Sequence, residues 1–235
     1  MDHSERNSIP SVIPVKLGLV TSFIIKGSRA VIVDTGYPGN ANKILRCLRE
    51  NAIKPDDVSL IVLTHGHIDH YGSAEELRKK TGAPIAAQRA DAKCLMEGIN
   101  YIGTPARPAG RILKCLYGGT DTVRTKSLEV DLIFDDERDL REFGIAGRVI
   151  HTPGHTEGSL SLILSTGEAI VGDLVTGGIL FNRVPGYPLF ICDMTRWKKS
   201  IEKVIQLSPT IICASHGGPF FPPLLQKFCK RNKSY

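Results

Sequence analysis

The chain has 235 residues, 42% of them apolar and 23% charged, enough to bury one large α/β core, and no linker divides it, so a single domain over residues 1–235 is expected. The net charge of +6 reads as a moderate lysine excess on a solvated surface, and no basic block is interleaved with aromatics, which argues against nucleic acid as a partner. The polar first residues lack the pattern of an export signal, no apolar run approaches a membrane span, and the six cysteines are scattered without CxxC spacing, so a reduced, cytoplasmic protein is expected.

Residues 12–32 are rich in Val and Ile and read as strands with a turn at Gly27-Ser28, closed by Asp34-Thr35-Gly36. Residues 40–51 space Ile44, Leu45 and Leu48 as one face of an amphipathic helix, and Pro55-Asp56-Asp57 turns the chain into the next strand. Ile61-Val62-Leu63 is an apolar run short enough for a buried strand. Directly behind it, His65, Gly66, His67, Asp69 and His70 put four metal-ligand side chains within six residues. A strand carries such a loop to a sheet edge, and Gly66 lets it curl so that its side chains converge. Imidazoles and a carboxylate suit zinc and its first-row neighbours. Ligands on alternate and on adjacent residues point in more directions than one tetrahedral ion can use, so two metals are expected. Asp34 is expected to accept hydrogen bonds from this loop rather than to ligate.

After the loop, Ser73-Ala74-Glu75-Glu76 opens a helix with an acidic first turn that ends near Thr81-Gly82. A short strand over 84–87 and a helix over 91–97 follow. Residues 98–127 are the least regular, rich in Gly and Pro around an apolar piece at 112–116, and read either as a lid or as a surface excursion. Strand character returns at 128–134, 148–150, 159–164 and 168–172. A second irregular stretch, 175–192, carries Phe181, Tyr187 and Phe190 and is a natural pocket wall. A helix over 193–207, capped by Asp193 or Thr195, has Trp197, Ile201, Val204 and Ile205 on one face, and a short basic helix spans 222–230. Three of the later strands lead into further ligand types: Val149-Ile150 into His151 and His155, Ile170-Val171-Gly172 into Asp173, and Ile211-Ile212-Cys213 towards His216. Cys213 is read as a packed strand residue.

Taken in order, His65-x-His67-x-Asp69-His70, His155 within Thr-Pro-Gly-His-Thr, Asp173 within Gly-Asp and His216 resemble the complete metal signature of the metallo-β-lactamase-fold hydrolases. Val33-Asp34-Thr35-Gly36 resembles that family's early turn. Periodicity alone gives only α/β or α+β; the resemblance, over about residues 30–218, implies a four-layer αββα sandwich with metals at one edge between the sheets. It also implies two divalent ions, zinc first, with iron or manganese as alternatives. His65, His67 and His155 would hold one and Asp69, His70 and His216 the other, with Asp173 bridging. Asp69 would in addition act catalytically, steering a water or accepting its proton. His151 is outside the family's ligand set and reads as a surface or supporting histidine, while Thr64 and Ser215 read as hydrogen bonders that shape loops.

One fold hosts many chemistries, so substrate is argued separately. The leading expectation is hydrolysis of an ester, lactone or thioester carbonyl by a hydroxide shared between the metals. β-Lactam and phosphoester or phosphotriester hydrolysis are alternatives on the same site. Lactone hydrolases of the family often carry a tyrosine three residues after the bridging aspartate; here that residue is Thr176, and Tyr187 is offered in its place, with Phe181 as a second substrate contact. A different class is the mononuclear-iron persulfide dioxygenases, whose motif after the aspartate has no counterpart in Gly177-Gly178-Ile179-Leu180. A small-molecule substrate is expected, neither nucleic acid nor membrane is, and a homodimer stays open.

Overall fold

Side chains along the central strands alternate between two different cores, as strands covered on both faces require. In Thr21–Lys26, Ile24 packs into one cluster while Phe23 and Ile25 pack into another. Ile32 against Val31 and Val33, and Ile61 against Leu60 and Val62, repeat the division. The computed structural model describes residues 9–116, 118–177 and 183–231.

The first sheet has the spatial order Ser11–Lys16, Thr21–Lys26, Ala30–Val33, Val58–Val62, Ile85–Gln88, Leu132–Phe134. Its first three strands are antiparallel and the rest run parallel to Ala30–Val33. Parallel neighbours need crossovers, and the helices Ala41–Glu50, Ala74–Thr81 and Arg89–Glu97 supply them. Gly82, in the left-handed conformation at φ +72, ends the second of these. The second sheet runs Glu137–Asp139, Gly147–His151, Leu160–Leu164, Glu168–Ile170, Ile211–Cys213; only its last pair is parallel, and the helix Met194–Gln206 makes that crossover. The Asp193 carboxylate caps this helix by accepting the Arg196 amide at 2.9 Å.

Three buried clusters mark three interfaces between four layers. Ile44, Leu48, Leu77 and Leu95 from the helices pack with Ile24, Ile32, Ile61 and Ile85 on the outside of the first sheet. Phe23, Val31, Leu60 and Val62 meet Val149, Leu160, Leu162 and Ile170 between the sheets. Trp197, Ile201 and Val204 cover Ile150, Ala169 and Ile212 on the outside of the second sheet. This is the αββα sandwich expected from the sequence.

Several local expectations need correction. The 98–127 stretch is more regular than its glycines and prolines suggest: Ile99–Tyr101 pairs with Thr122–Arg124, and Pro108–Leu116 is a helix. Thr104–Pro105 pairs with Phe190–Ile191, so the insert is stitched to the second irregular stretch. Only Leu132–Phe134 of the 128–134 run is strand. The edge strand Glu137–Asp139 has no apolar alternation to announce it, being wholly charged and exposed, which suits an unpaired edge. Phe181 lies outside the described residues. Among the described residues no helix is long and apolar enough to cross a membrane.

Leu162, fully buried between the sheets, and Ile133, 42% exposed, offer a direct check on this layering. Leu162→Ala should cost about 2–5 kcal/mol in denaturant unfolding, and Ile133→Ala less than about 1 kcal/mol.

Candidate metal centre

The ligand-bearing segments all leave strands at one edge of the sandwich. Val58–Val62 leads to His65, Gly147–His151 to His155, Glu168–Ile170 to Asp173, and Ile211–Cys213 to His216. What aligns them is Asp34, which follows Ala30–Val33 in the left-handed region at φ +59 and is fully buried. Its Oδ1 accepts the Thr64 amide at 2.8 Å. Its Oδ2 accepts the Thr64 hydroxyl and His70 Nδ1–H, each at 2.8 Å, and the Ser215 hydroxyl at 3.2 Å. One carboxylate thus ties the metal-ligand loop, its following turn and the loop from the other sheet. Thr64 and Ser215 act here as loop-shaping hydrogen bonders. Gly172 is required beside them, since a Cβ there would lie 2.6 Å from Thr64 Oγ1.

His65 Nε2, His67 Nδ1 and His155 Nε2 form a triangle with sides of 3.1, 3.1 and 3.2 Å. The opposite nitrogen of each ring fixes the tautomer. His155 Nδ1 faces the Phe190 carbonyl at 2.8 Å and His67 Nε2 the Tyr101 carbonyl at 2.7 Å; a carbonyl only accepts, so both nitrogens carry protons. Thr64 spends its hydroxyl proton on Asp34 and accepts from His65 Nδ1–H at 3.1 Å. Three bare lone pairs therefore point at one another, an arrangement that a cation stabilises and that no donor among the described residues satisfies. Burial, reinforced by neighbouring imidazoles, holds His65 well below its ordinary pKa and lowers His155 to about 4, so protons are a poor substitute for a metal there.

A second group joins Asp69, His70 and His216. His216 Nδ1–H donates to the Leu19 carbonyl at 2.8 Å, and its Nε2 lies 3.2 Å from Asp69 Oδ2. His70 Nε2 is buried without a hydrogen-bond partner, as is Asp173 Oδ1, 3.7 Å away. Asp173 Oδ2 stands 3.8 Å from His155 Nε2 and 3.6 Å from His216 Nε2, so this carboxylate lies between the two groups. A third combination, His65, His70 and Asp173, also converges. The donor set of imidazoles and carboxylates and the orphaned buried atoms fit divalent cations. Burial opposes a charged His70, but the carboxylates of Asp34, Asp69 and Asp173 outweigh it and raise the pKa to about 10. For Asp69, burial favours the neutral acid, yet His70 and His216 hold the carboxyl well below its usual range.

The remaining sequence candidates fall elsewhere. His151 is partly buried, its Nε2 2.8 Å from the Glu157 carbonyl, outside every ligand group. Tyr187 does not reach the cavity over the ligands: its ring packs at 5.1 Å from both Trp197 and Phe228 beneath the outer helix. Its backbone carbonyl, instead, accepts the Thr176 hydroxyl at 2.9 Å. An aromatic in a wall segment can face either side, and here the apolar outer cluster claims it.

Asp91 is a loop-joining residue beside the site that the sequence does not single out. Fully buried in the first turn of Arg89–Glu97, it accepts the Gly66 amide, the Thr156 hydroxyl and the Gly158 amide at 2.9, 2.7 and 2.9 Å. It thereby joins the His65–His67 loop to the His155 loop, as Asp34 does on the other side. An acid in a first helical turn is so ordinary that it carries no signal of its own. Its place just after the strand Ile85–Gln88, however, obeys the same strand-end rule that located the ligands.

Comparison with known proteins bears on the fold and the family. The sequence model of the Metallo-beta-lactamase superfamily matches residues 15–216. A metallo-beta-lactamase fold-containing protein of Sulfurisphaera tokodaii is 30% identical over 183 residues, covering 75% of this chain and 67% of that one. An uncharacterised protein of Mycobacterium tuberculosis is 34% identical over 195 residues, 81% of each chain. A probable metallo-hydrolase of Methanocaldococcus jannaschii is 27% identical over 190 residues, 81% of this chain and 77% of its own. The crystal structure of an archaeal metallo-beta-lactamase superfamily protein from Sulfolobus tokodaii superposes with a TM-score of 0.62 at 25% identity, covering 96% of this chain and 84% of the other.

Asp91→Ala leaves the buried Gly66 and Gly158 amides unsatisfied and takes one of two partners from the Thr156 hydroxyl, which keeps Ser159, and should lower stability by about 2–4 kcal/mol in denaturant unfolding. Because the pKa of His70 is raised to about 10, the metal-free ring is protonated at neutral pH, and a cation at Nε2 must displace that proton. Metal uptake at about pH 7.5 should therefore release at least one proton and tighten as pH rises, which calorimetry in buffers of different ionisation enthalpy measures.

Proposed function

Because the chain belongs to the metallo-β-lactamase superfamily, we propose that it is a dinuclear metal-dependent hydrolase that attacks the carbonyl of an ester, lactone or thioester. The observation that carries this reading is the position of Asp173, with its oxygens 3.6–3.8 Å from nitrogens of both ligand groups. His65, His67 and His155 would hold one ion and Asp69, His70 and His216 the other, with Asp173 shared between them. Zinc suits this donor set best, with iron or manganese as alternatives. The ions, when bound, polarise a carbonyl oxygen and lower the pKa of water toward neutrality.

The chain's own groups do the rest. Asp34, Thr64 and the Phe190, Tyr101 and Leu19 carbonyls each engage the imidazole nitrogen that faces away from the ligand groups, which orients the other toward them. Asp69, held ionised by His70 and His216 and lining the cavity, is placed to orient a water and take its proton. A small-molecule substrate enters through a cavity of about 250 Å³ that also touches His67, His155, Asp173 and His216. The six cysteines, all without disulfides, fit a cytoplasmic protein.

Purified protein should retain about two equivalents of metal, and chelation should abolish turnover on a panel of p-nitrophenyl esters, lactones, glutathione thioesters, phosphodiesters and a β-lactam. His67→Ala should lower kcat/KM about 10²-fold or more. Full activity in stripped protein, or oxygen consumption with a persulfide as the sole reaction, would sink the proposal.

A further inference from the structure

Resting on the hydrolase reading, we infer that the cavity selects substrates with an uncharged, apolar acyl group and rejects those bearing a second charge away from the scissile bond. Above the ligands its wall is built from Leu19, Ile68, Ile102, Leu113, Leu189 and Phe190, with Tyr37 at the mouth. Leu19 and Tyr37 are 68% and 43% exposed, so a bound acyl chain would cover apolar surface that now faces water.

Among the described residues no Lys or Arg lines this cavity. Two basic groups of the neighbouring insert, Arg107 and Lys114, are engaged elsewhere. The Arg107 guanidinium donates to the Gly177 and Tyr187 carbonyls at 3.3 and 3.1 Å, holding the insert to the opposite wall. The Lys114 ammonium, one residue beyond Leu113, donates to the Gly103 carbonyl and pairs with Asp121. An anion at the reacting centre would still meet the bound cations. A carboxylate several bonds further out would lie on leucine and phenylalanine without a counter-charge, which burial penalises heavily.

One neutral polar group interrupts the wall. Asn100 lines the cavity, and its Oδ1 is buried with no hydrogen-bond partner, the one such atom in the wall, among the described residues, that does not belong to a proposed ligand. Its amide is the anchor for an uncharged polar atom of the substrate, consistent with a pocket that reads shape and neutral hydrogen bonding rather than charge.

The test compares p-nitrophenyl acetate, p-nitrophenyl pentanoate and mono-p-nitrophenyl glutarate on metal-loaded protein; the last two have acyl chains of equal carbon count that differ by a terminal carboxylate. kcat/KM should rise about tenfold or more from acetate to pentanoate and fall about tenfold or more from pentanoate to glutarate. In Leu113→Lys, checked for an unchanged Tm, the glutarate-to-pentanoate ratio should rise about fivefold or more. Glutarate turned over as well as pentanoate, or a ratio unmoved in Leu113→Lys, overturns the inference while leaving the hydrolase reading standing. If none of these esters is cleaved, the hydrolase reading is decided by the lactones and thioesters of the wider panel, and saturation-transfer NMR with 2-heptanone and 5-oxohexanesulfonate decides the cavity's selectivity separately. Preferential contact with the neutral ketone upholds it, and equal or stronger contact with the sulfonate overturns it.

Discussion

Asp34 is the constraint on which the rest depends. A fully buried carboxylate must find donors, and this one finds four, drawn from the Thr64 loop, His70 and Ser215. Because Ser215 follows a strand of the second sheet and Thr64 a strand of the first, satisfying one side chain sets the spacing of the two sheets where the ligands emerge. The left-handed backbone at Asp34 is strain held by those same bonds. The sandwich core supplies the bulk of the stability; this carboxylate converts two packed sheets into an edge with a defined geometry.

Given that edge, electrostatics accounts for the division of labour among the histidines. His65 and His155 sit among other imidazoles and are driven neutral, whereas His70 sits among three carboxylates and is driven positive. The same clustering of residues therefore yields one group that repels protons and one that retains them. Bare imidazole lone pairs in one group and carboxylates in the other would both be served by a cation.

How much of this is legible in the sequence follows from how restrictive each requirement is. Metal ligation admits few residue types, and four of them crowded behind an apolar strand seldom serve any purpose but ligation, so the segments holding His65 to His216 can be read directly. Alternation of apolar residues, as at Ile24 and Ile61, reveals covered strands, though the layer count comes from resemblance. Two-residue bridges such as Thr104–Pro105 with Phe190–Ile191 have no period to detect. Tyr187 misleads because an aromatic in an irregular segment packs wherever apolar surface is nearest, and Trp197 and Phe228 are nearer than the cavity. Asp91 is hidden because its neighbours across space, Gly66 and Gly158, are glycines whose only contribution is a backbone N–H.

The carbonyl of Tyr101 has a wider meaning. His65 leans on the body of the fold, but His67 takes its ring orientation from the inserted hairpin, and His155 takes its own from Phe190, in the segment paired to that insert. An ion held by His67 and His155 would therefore be thermodynamically linked to the seating of this insert: whatever favours one would favour the other to the same degree. Remodelling the insert would then alter the grip on such an ion as well, coupling two properties that the sequence places far apart.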